Sequence, residues 1–222
     1  WTVAVAALLM LWLVWRRVPA HIGTPGTGFA GLGGLLRQRE VLLTLGFTLL
    51  YFTAIFTVSA YMGPVQLALN PLSPRALTAT LVVLGLAGVA GTLIGGWAAD
   101  RHGPRRTLRW QIGGMATALA LAPLTAGHHA LTVLAFAVMT VCGFGMMTPQ
   151  QSRLAECAFV QAPMLLSLNA SMVYIGTAAG AAVGGAAIAW LGFAQLSWIG
   201  AAFAVLGALT LLPRSPSPPP HR

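Results

Sequence analysis

The sequence has very few charged residues, which excludes most classes of soluble protein. Of its 222 residues, 7% are charged and 57% are hydrophobic, whereas about a quarter of the residues in a soluble domain are charged. It contains no lysine, and its three acidic residues are Glu40, Asp100 and Glu156. We therefore expect an integral membrane protein whose surface faces lipid over most of its area.

Groupings of residues that would support chemistry are also missing. The two cysteines, Cys142 and Cys157, show no CxxC spacing, so neither a disulfide framework nor a metal site is predicted. His128 and His129 lack nearby acidic ligands, and the Ser and Glu residues show no spacing typical of a catalytic pair. No cofactor and no enzymatic activity are expected, and a membrane-embedded enzyme is the weaker alternative.

Long apolar runs dominate the sequence. A run at residues 1–15 is too short to span a bilayer, so we interpret it as the end of a truncated helix. Six longer runs follow, and each is long enough to cross about 30 Å of hydrocarbon as a helix. They are helix A (41–62), helix B (77–99), helix C (110–127), helix D (130–148), helix E (164–190) and helix F (193–212).

Arginines are concentrated in alternate gaps between these runs. One set of gaps, which includes the tail, holds Arg16, Arg17, Arg37, Arg39, Arg101, Arg105, Arg106, Arg109, Arg153, Arg214 and Arg222. The opposite set holds Arg75 alone. Positive charge marks the cytoplasmic side, so we expect six crossings of the plasma (inner) membrane with a cytoplasmic C-terminus. The same placement explains the net charge of +9 without a nucleic-acid partner.

The sequence predicts four regions. Residues 1–15 are the end of the truncated helix, and residues 16–40, rich in Gly and Pro around 18–34, form a flexible cytoplasmic linker. Residues 41–212 form a bundle of six transmembrane helices. The Pro-rich residues 213–222 form a disordered cytoplasmic tail.

The most specific motif is GGWAADRHGPRR at residues 95–106, at the predicted cytoplasmic end of helix B. Gly96 would let a neighbouring helix approach closely, and Gly103 would allow the positive φ of a tight turn. Asp100 lies at a helix C-terminus, where the helix dipole disfavours an anion, so it should need a cationic partner or another helix N-terminus. The functional interpretation is a charged gate, and the alternative is a basic loop that only fixes topology.

This motif resembles the loop signature of the major facilitator superfamily. The matching residues are Gly96, Asp100, Arg101, Gly103, Arg105 and Arg106, while Ala98 and Pro104 depart from the pattern. Residues 36–64, 148–156 and 162–185 are similar to the sugar-efflux and drug-proton antiporter branches, the arabinose efflux permease-like proteins. The resemblance implies the C-terminal half of a secondary transporter that lacks its N-terminal six-helix half and expels a small organic solute or drug by alternating access.

The resemblance also implies that helices A and D line the substrate path. Each helix carries aromatic, Met and hydroxyl side chains spaced by threes and fours, which would suit an amphiphilic ligand. The candidate cavity residues are Thr48, Tyr51, Phe52, Ile55 and Ser59 on helix A, and Phe136, Met139, Thr140, Gly143 and Met147 on helix D. The alternative is that the hydroxyls bond only their own backbone or a neighbouring helix.

Glycines repeat every four residues on helices B and E, where they form flat faces. They are Gly91 and Gly95 on helix B, and Gly176, Gly180 and Gly184 on helix E. Such faces permit close helix approach. The resemblance implies that both helices lie between the two halves of the transporter, and tight packing within one bundle is the alternative.

No Asp, Glu or Lys is predicted at mid-membrane depth, where coupled transporters usually carry a proton-binding carboxylate. If protons are the coupling ion, the titrating group must belong to the missing half. A non-transporting fragment, or a half-transporter that needs a partner chain, is the remaining alternative. Neither the substrate nor the direction of transport is encoded in an evident motif.

Overall fold

The computed structural model describes residues 32–157 and 162–211, together with Met10, Trp12 and Arg16. All regular structure in these residues is helical. The chain divides into two units, residues 1–32 and residues 33–222. In the first unit, the guanidinium of Arg16 lies 4.6 Å from the ring centre of Trp12. The second unit contains the bundle described below.

Nine α-helices follow one another in the described ranges. They are α1 (Leu32–Arg37), α2 (Arg39–Ser59), α3 (Met62–Leu69), α4 (Pro74–His102), α5 (Pro104–Leu121), α6 (His129–Gly145), α7 (Met147–Cys157), α8 (Ala162–Leu191) and α9 (Leu196–Leu209). A short 3-10 helix, Ala122–Thr125, extends α5.

Each of the six predicted spans is helical in the structure. Helices A to F correspond in order to α2, α4, α5, α6, α8 and α9, with ends that differ by one to three residues, except that α5 begins and ends six residues before helix C. Two further helices lie where the sequence predicted connections. The gap after helix A contains α3, and the predicted cytoplasmic gap after helix D is largely the helix α7, which follows α6 after one residue.

Four segments among the described residues are long and apolar enough to cross a membrane. They are α2, α4, the continuous α6–α7 segment up to Glu156, and α8. The helix α5 begins with three arginines in its first six residues, and α9 has 14 residues, about 21 Å at 1.5 Å per residue. Six crossings therefore stay a prediction, while the all-α membrane fold is confirmed.

The core of the bundle forms around α2. This helix packs most extensively against α8 and α9 and also contacts α6 and α7. The middle of this helix is buried on every face, since Tyr51, Phe52, Thr53, Ala54 and Ile55 are all buried. By contrast, α4 and α8 bury only a narrow stripe each. The sequence does not distinguish the enclosed helix α2 from the more exposed helices α4 and α8, because all three are uniformly apolar.

Small residues bring pairs of helices into backbone contact. A Cβ added to Gly91 or Gly95 would collide with backbone atoms of Val141 or Gly145, so α4 crosses α6 at these glycines. On α8, a Cβ at Gly176, Gly180 or Gly184 would lie 2.6–2.7 Å from carbonyl oxygens of α2. All five predicted packing glycines therefore lie at helix crossings within the bundle.

Three predicted regions fall largely outside the described residues. The truncated helix at 1–15 and the linker at 16–40 are described only at Met10, Trp12, Arg16 and from residue 32 onward. From residue 32, the predicted linker is helical, with α1 and the start of α2. The predicted disordered tail at 213–222 lies outside the described residues.

Candidate functional site

The loop that joins α4 to α5 is a tight turn centred on one glycine. Gly103 has a φ of 83°, a backbone conformation that other residues adopt only with strain. Its amide donates to the carbonyl of Ala99 at 2.9 Å, which ends α4. Pro104 then occupies the first position of α5, where its fixed φ suits a helix start. The departure from the family pattern at Pro104 therefore has a local structural role.

Close helix approach in this motif occurs one residue before the predicted position. A Cβ at Gly96 would lie 3.8 Å from the Thr148 side chain, which is ordinary van der Waals contact. Gly95 is the residue that meets the backbone of Gly145. Gly96 is therefore not needed for packing within the bundle.

Asp100 is exposed at the last turn of α4. Within the described part of the chain, it forms no ion pair. The four arginines of the turn, Arg101, Arg105, Arg106 and Arg109, are exposed as well. The structure thus presents a carboxylate at the negative end of a helix dipole, with cations nearby but none bound to it.

The predicted cavity residues lie inside the bundle. Eight of the ten are buried, and Ser59 and Met147 are half-buried. The buried residues are Thr48, Tyr51, Phe52, Ile55, Phe136, Met139, Thr140 and Gly143. The hydroxyl of Thr140 donates to the carbonyl of Phe136 in its own helix at 2.7 Å. No open surface is formed by these two sets in this arrangement.

The two predicted faces nevertheless meet each other. The Tyr51 hydroxyl donates to the carbonyl oxygen of Cys142 at 2.7 Å. One turn along α2, the side chain of Ile55 fills the space that a Cβ on Gly143 would occupy. The helices α2 and α6 therefore face each other along the predicted residues, and their side chains close the space between them.

A buried polar network, not found from the sequence, joins α2, α7 and α8. The hydroxyl of Thr48 donates to Oδ1 of Asn169 at 2.6 Å. The amide nitrogen of Gln150 donates to the Thr48 hydroxyl and to the carbonyl of Thr44, each at 2.8 Å. The other amide atom of Gln150, Oε1, is buried without a hydrogen-bond partner among the described residues. The available signal was the pair Gln150, which follows the apolar run of helix D, and Asn169, which is a polar residue inside helix E.

A second polar cluster lies at the opposite end of α6. The amide of Asn70 donates to the Thr132 hydroxyl at 2.9 Å, and the Thr132 and Thr125 hydroxyls are 2.9 Å apart. His129 Nε2 is 3.3 Å from the hydroxyl of Thr80 on α4. Of the two histidines singled out in the sequence, His129 is therefore part of a helix contact, and His128 is exposed.

Comparison with known proteins gives a family match over most of the chain. The family model described as Major Facilitator Superfamily matches residues 1–161. This range includes the turn at Gly103 and extends through α7.

Individual relatives agree with this match. The chain is 24% identical to the MFS-type transporter YbcL of Bacillus subtilis over 81% of this chain and 46% of that protein. It is 30% identical to the inner membrane transport protein YdhP of Escherichia coli O157:H7, over 67% of this chain and 38% of that one. A probable sugar efflux transporter of Helicobacter pylori is 36% identical over 41% of this chain and 23% of its own length. The chain thus spans less than half the length of the curated relatives it matches.

Proposed function

The chain belongs to the major facilitator superfamily, and we propose from this that it forms the C-terminal six-helix half of a secondary transporter. The family and the apolar helices make it an integral membrane protein. The proposed activity is efflux of a small organic solute or drug by alternating access. Resemblance to a protein named as a probable sugar efflux transporter supports the direction of transport. The arginine distribution supports an inner-membrane location with a cytoplasmic C-terminus.

One observation carries the gating part of this proposal, which is the exposed carboxylate of Asp100. A carboxylate at a helix C-terminus is disfavoured by the dipole, and a nearby cation or a helix N-terminus from outside the bundle would stabilise it. In the proposed cycle, Asp100 and the arginines of the Gly103 turn contact the other half when the cytoplasmic side closes. They separate from it when that side opens.

The proposed second half would cover the faces that the bundle leaves exposed. In the apolar 18-residue stretch of α4, 17% is buried, and in the corresponding stretch of α8, 22% is buried. The glycine stripes of both helices are already used against α6 and α2. The opposite faces therefore remain for lipid and for the N-terminal half, whether that half precedes this one in the same polypeptide or belongs to a separate chain.

Within this proposal, the contact between α2 and α6 is the substrate path in a closed arrangement. Tyr51 and Ile55 would separate from Cys142 and Gly143 as the path opens. Opening would expose aromatic, thioether and hydroxyl groups, which suit a mildly polar organic ligand. The coupling ion is proposed to be the proton, with its carboxylate in the other half.

The test is substrate transport in vesicles with an imposed pH gradient, using the full-length transporter and a panel of sugars and cationic drugs. Asp100→Asn is expected to lower the transport rate at least tenfold while leaving the amount of inserted protein unchanged. Glu40→Gln is the matched control, since it removes an exposed carboxylate from the start of α2. Normal transport by Asp100→Asn would refute the gate, and no gradient-dependent flux of any tested solute would count against efflux of these substrate classes.

A further inference from the structure

A groove of about 160 Å³ lies between α4, α5 and α6. Its walls are mostly apolar, and they are formed by Gly91, Ile94, Ala98, Thr107, Trp110, Gln111, Val141 and Cys142. Along α4, Ala98 and Gly91 are roughly 8 and 18 Å from Gly103 at 1.5 Å per residue. The groove therefore begins near the Arg-rich turn and continues toward the middle of the predicted membrane span.

Three aromatic rings lie where the groove approaches this turn. The imidazole of His102 packs edge-on against two indoles, with ring centres 5.9 Å from Trp97 and 5.0 Å from Trp110. Trp97 is 58% exposed and Trp110 is 50% exposed. Half-exposed indoles are typical of the headgroup level of a bilayer. We call Trp97, His102 and Trp110 the aromatic rim.

Two arginines are held against this rim, one from each helix. The guanidinium carbon of Arg101 lies 5.7 Å from the Trp97 ring centre, and that of Arg106 lies 4.8 Å from the Trp110 ring centre. Arg109 instead donates from Nε to the backbone carbonyl of Arg105 at 3.4 Å, and among the described residues neither Arg105 nor Arg109 packs on an aromatic ring. Arg106 therefore lies beside the groove residue Trp110, and Arg101 lies on Trp97 at the other side of the aromatic rim.

We propose that the aromatic rim, Arg101, Arg106 and the groove form a binding site for one anionic phospholipid. The two guanidinium groups would hold the phosphate, since their planar donors match phosphate geometry, and one acyl chain would lie along Ile94 and Ala98. Residues 100–109 carry four arginines and one aspartate, so an anionic headgroup complements their charge. The apolar groove selects a lipid over a free phosphate ion. The site does not depend on the transport proposal.

The experiment is native mass spectrometry of the purified, delipidated protein titrated with phosphatidylglycerol or phosphatidylcholine of the same acyl chains. We expect one tight phosphatidylglycerol site with at least tenfold preference over phosphatidylcholine. The double variant Arg101→Gln/Arg106→Gln should weaken phosphatidylglycerol binding about thirtyfold, because it removes both guanidinium groups that hold the phosphate. The control double variant Arg105→Gln/Arg109→Gln removes the same amount of charge from positions outside the rim. It should change the affinity for phosphatidylglycerol less than fourfold.

Several results would overturn the proposal. Equal weakening by the two double variants would mean diffuse charge attraction with no defined site. Equal affinity for the two lipids would remove the role of the anionic headgroup. Displacement of phosphatidylglycerol by millimolar inorganic phosphate would mean that the groove does not contribute to lipid affinity. This measurement uses the wild-type protein only. Circular dichroism measures the helicity of each variant, so that a folding defect is not mistaken for a loss of binding.

Discussion

Gly91 shows how a single methyl group can decide whether two helices pack. A Cβ at this position would come within 2.7 Å of Val141 Cα and still closer to the Val141 carbonyl oxygen. These are backbone atoms of α6, which cannot move aside as the end of a side chain can. The backbone of α4 must therefore shift away from α6 if any other residue replaces this glycine.

We predict that Gly91→Ala lowers the stability of the bundle by about 1–3 kcal/mol, the usual cost of overpacking. The measurement is the midpoint of thermal or detergent-induced unfolding of the purified protein. Gly85→Ala is the matched control on the same helix, because nothing lies within 4 Å of a Cβ there, and it should leave the midpoint unchanged or slightly higher. Equal midpoints for both variants would contradict the crossing of α4 and α6 at Gly91.

The network of Thr48, Gln150 and Asn169 yields a second prediction at this scale. Thr48→Val removes the donor to Asn169 Oδ1 and one of the two acceptors of the Gln150 amide nitrogen, which keeps only the carbonyl of Thr44. Hydrogen bonds between membrane helices contribute about 0.6 kcal/mol on average and up to about 1.7. We expect a loss near the upper end of this range, since one hydroxyl serves both amides.

A double-mutant cycle between Thr48→Val and Asn169→Leu checks this coupling by the same unfolding measurement. The two changes should cost less together than the sum of their separate costs. Thr92→Val is the control, because the Thr92 hydroxyl is exposed and donates only to the carbonyl of Gly88 in its own helix. Strict additivity in the cycle would show that the two side chains do not interact.

At the residue scale, the sequence predicted the backbone conformation of the turn better than it predicted which residues the cavity candidates contact. The tight turn at Gly103 followed from the spacing of the motif, and the structure has the expected positive φ. Tyr51 and Ile55 lie on the side of α2 that packs against α6, whereas the sequence pattern placed them on a cavity face. A helix that is apolar on all sides carries no period that distinguishes a cavity face from a packed one.

At the scale of elements, α3 and α7 are the helices that the search for long apolar runs did not find. The sequence of α7 contains Pro149, two glutamines and Arg153, a composition that predicts a connecting loop. In the structure, Gln150 and Leu154 are fully buried against the bundle, and the helix buries one face. Its stability depends on contacts with residues about a hundred positions away, such as Thr44 and Thr48, which no local pattern reports.

The end of α3 provides a prediction for a whole element. The amide of Asn70 donates to Thr132, and the carbonyl of Leu69 accepts from the amide of Gly127 at 3.0 Å. Asn70→Leu removes the first of these contacts, so α3 should open more often. Hydrogen-exchange mass spectrometry should show faster exchange of the amides in α3, by roughly tenfold for a lost contact of about 1.4 kcal/mol.

Ser73→Ala is the control for this experiment. It removes the acceptor for the Ala76 amide at the start of α4, so faster exchange should be confined to the first turn of α4. If Asn70→Leu left exchange in α3 unchanged, Asn70 would not be the residue that holds α3 in place.

At the scale of the whole molecule, composition and the order of apolar runs and arginines were sufficient to predict the class. Scarce charge, long apolar runs and arginines in alternate gaps indicate a multispanning α-helical membrane protein, and the family match agrees. The number of crossings is harder to derive, because α5 begins with arginines and α9 is short. Length and hydropathy therefore do not predict a crossing by α5 or α9, whereas the alternation of the arginines predicts that both helices cross the membrane.

Topology is the property on which the account depends most. If six helices cross in alternation, the turn at Arg105 and the start of α7 at Gln151 lie on one side, and Ser73 and His128 lie on the other. All four residues are exposed, so each accepts a single cysteine in a background where Cys142 and Cys157 are replaced by serine.

The most direct test is labelling of these four single-cysteine variants in intact cells with a membrane-impermeant maleimide. The account predicts that positions 73 and 128 react in intact cells, whereas positions 105 and 151 react only after the cells are lysed. Labelling of 105 and 151 from opposite sides of the membrane would contradict the alternating six-helix bundle and the proposed transporter half with it.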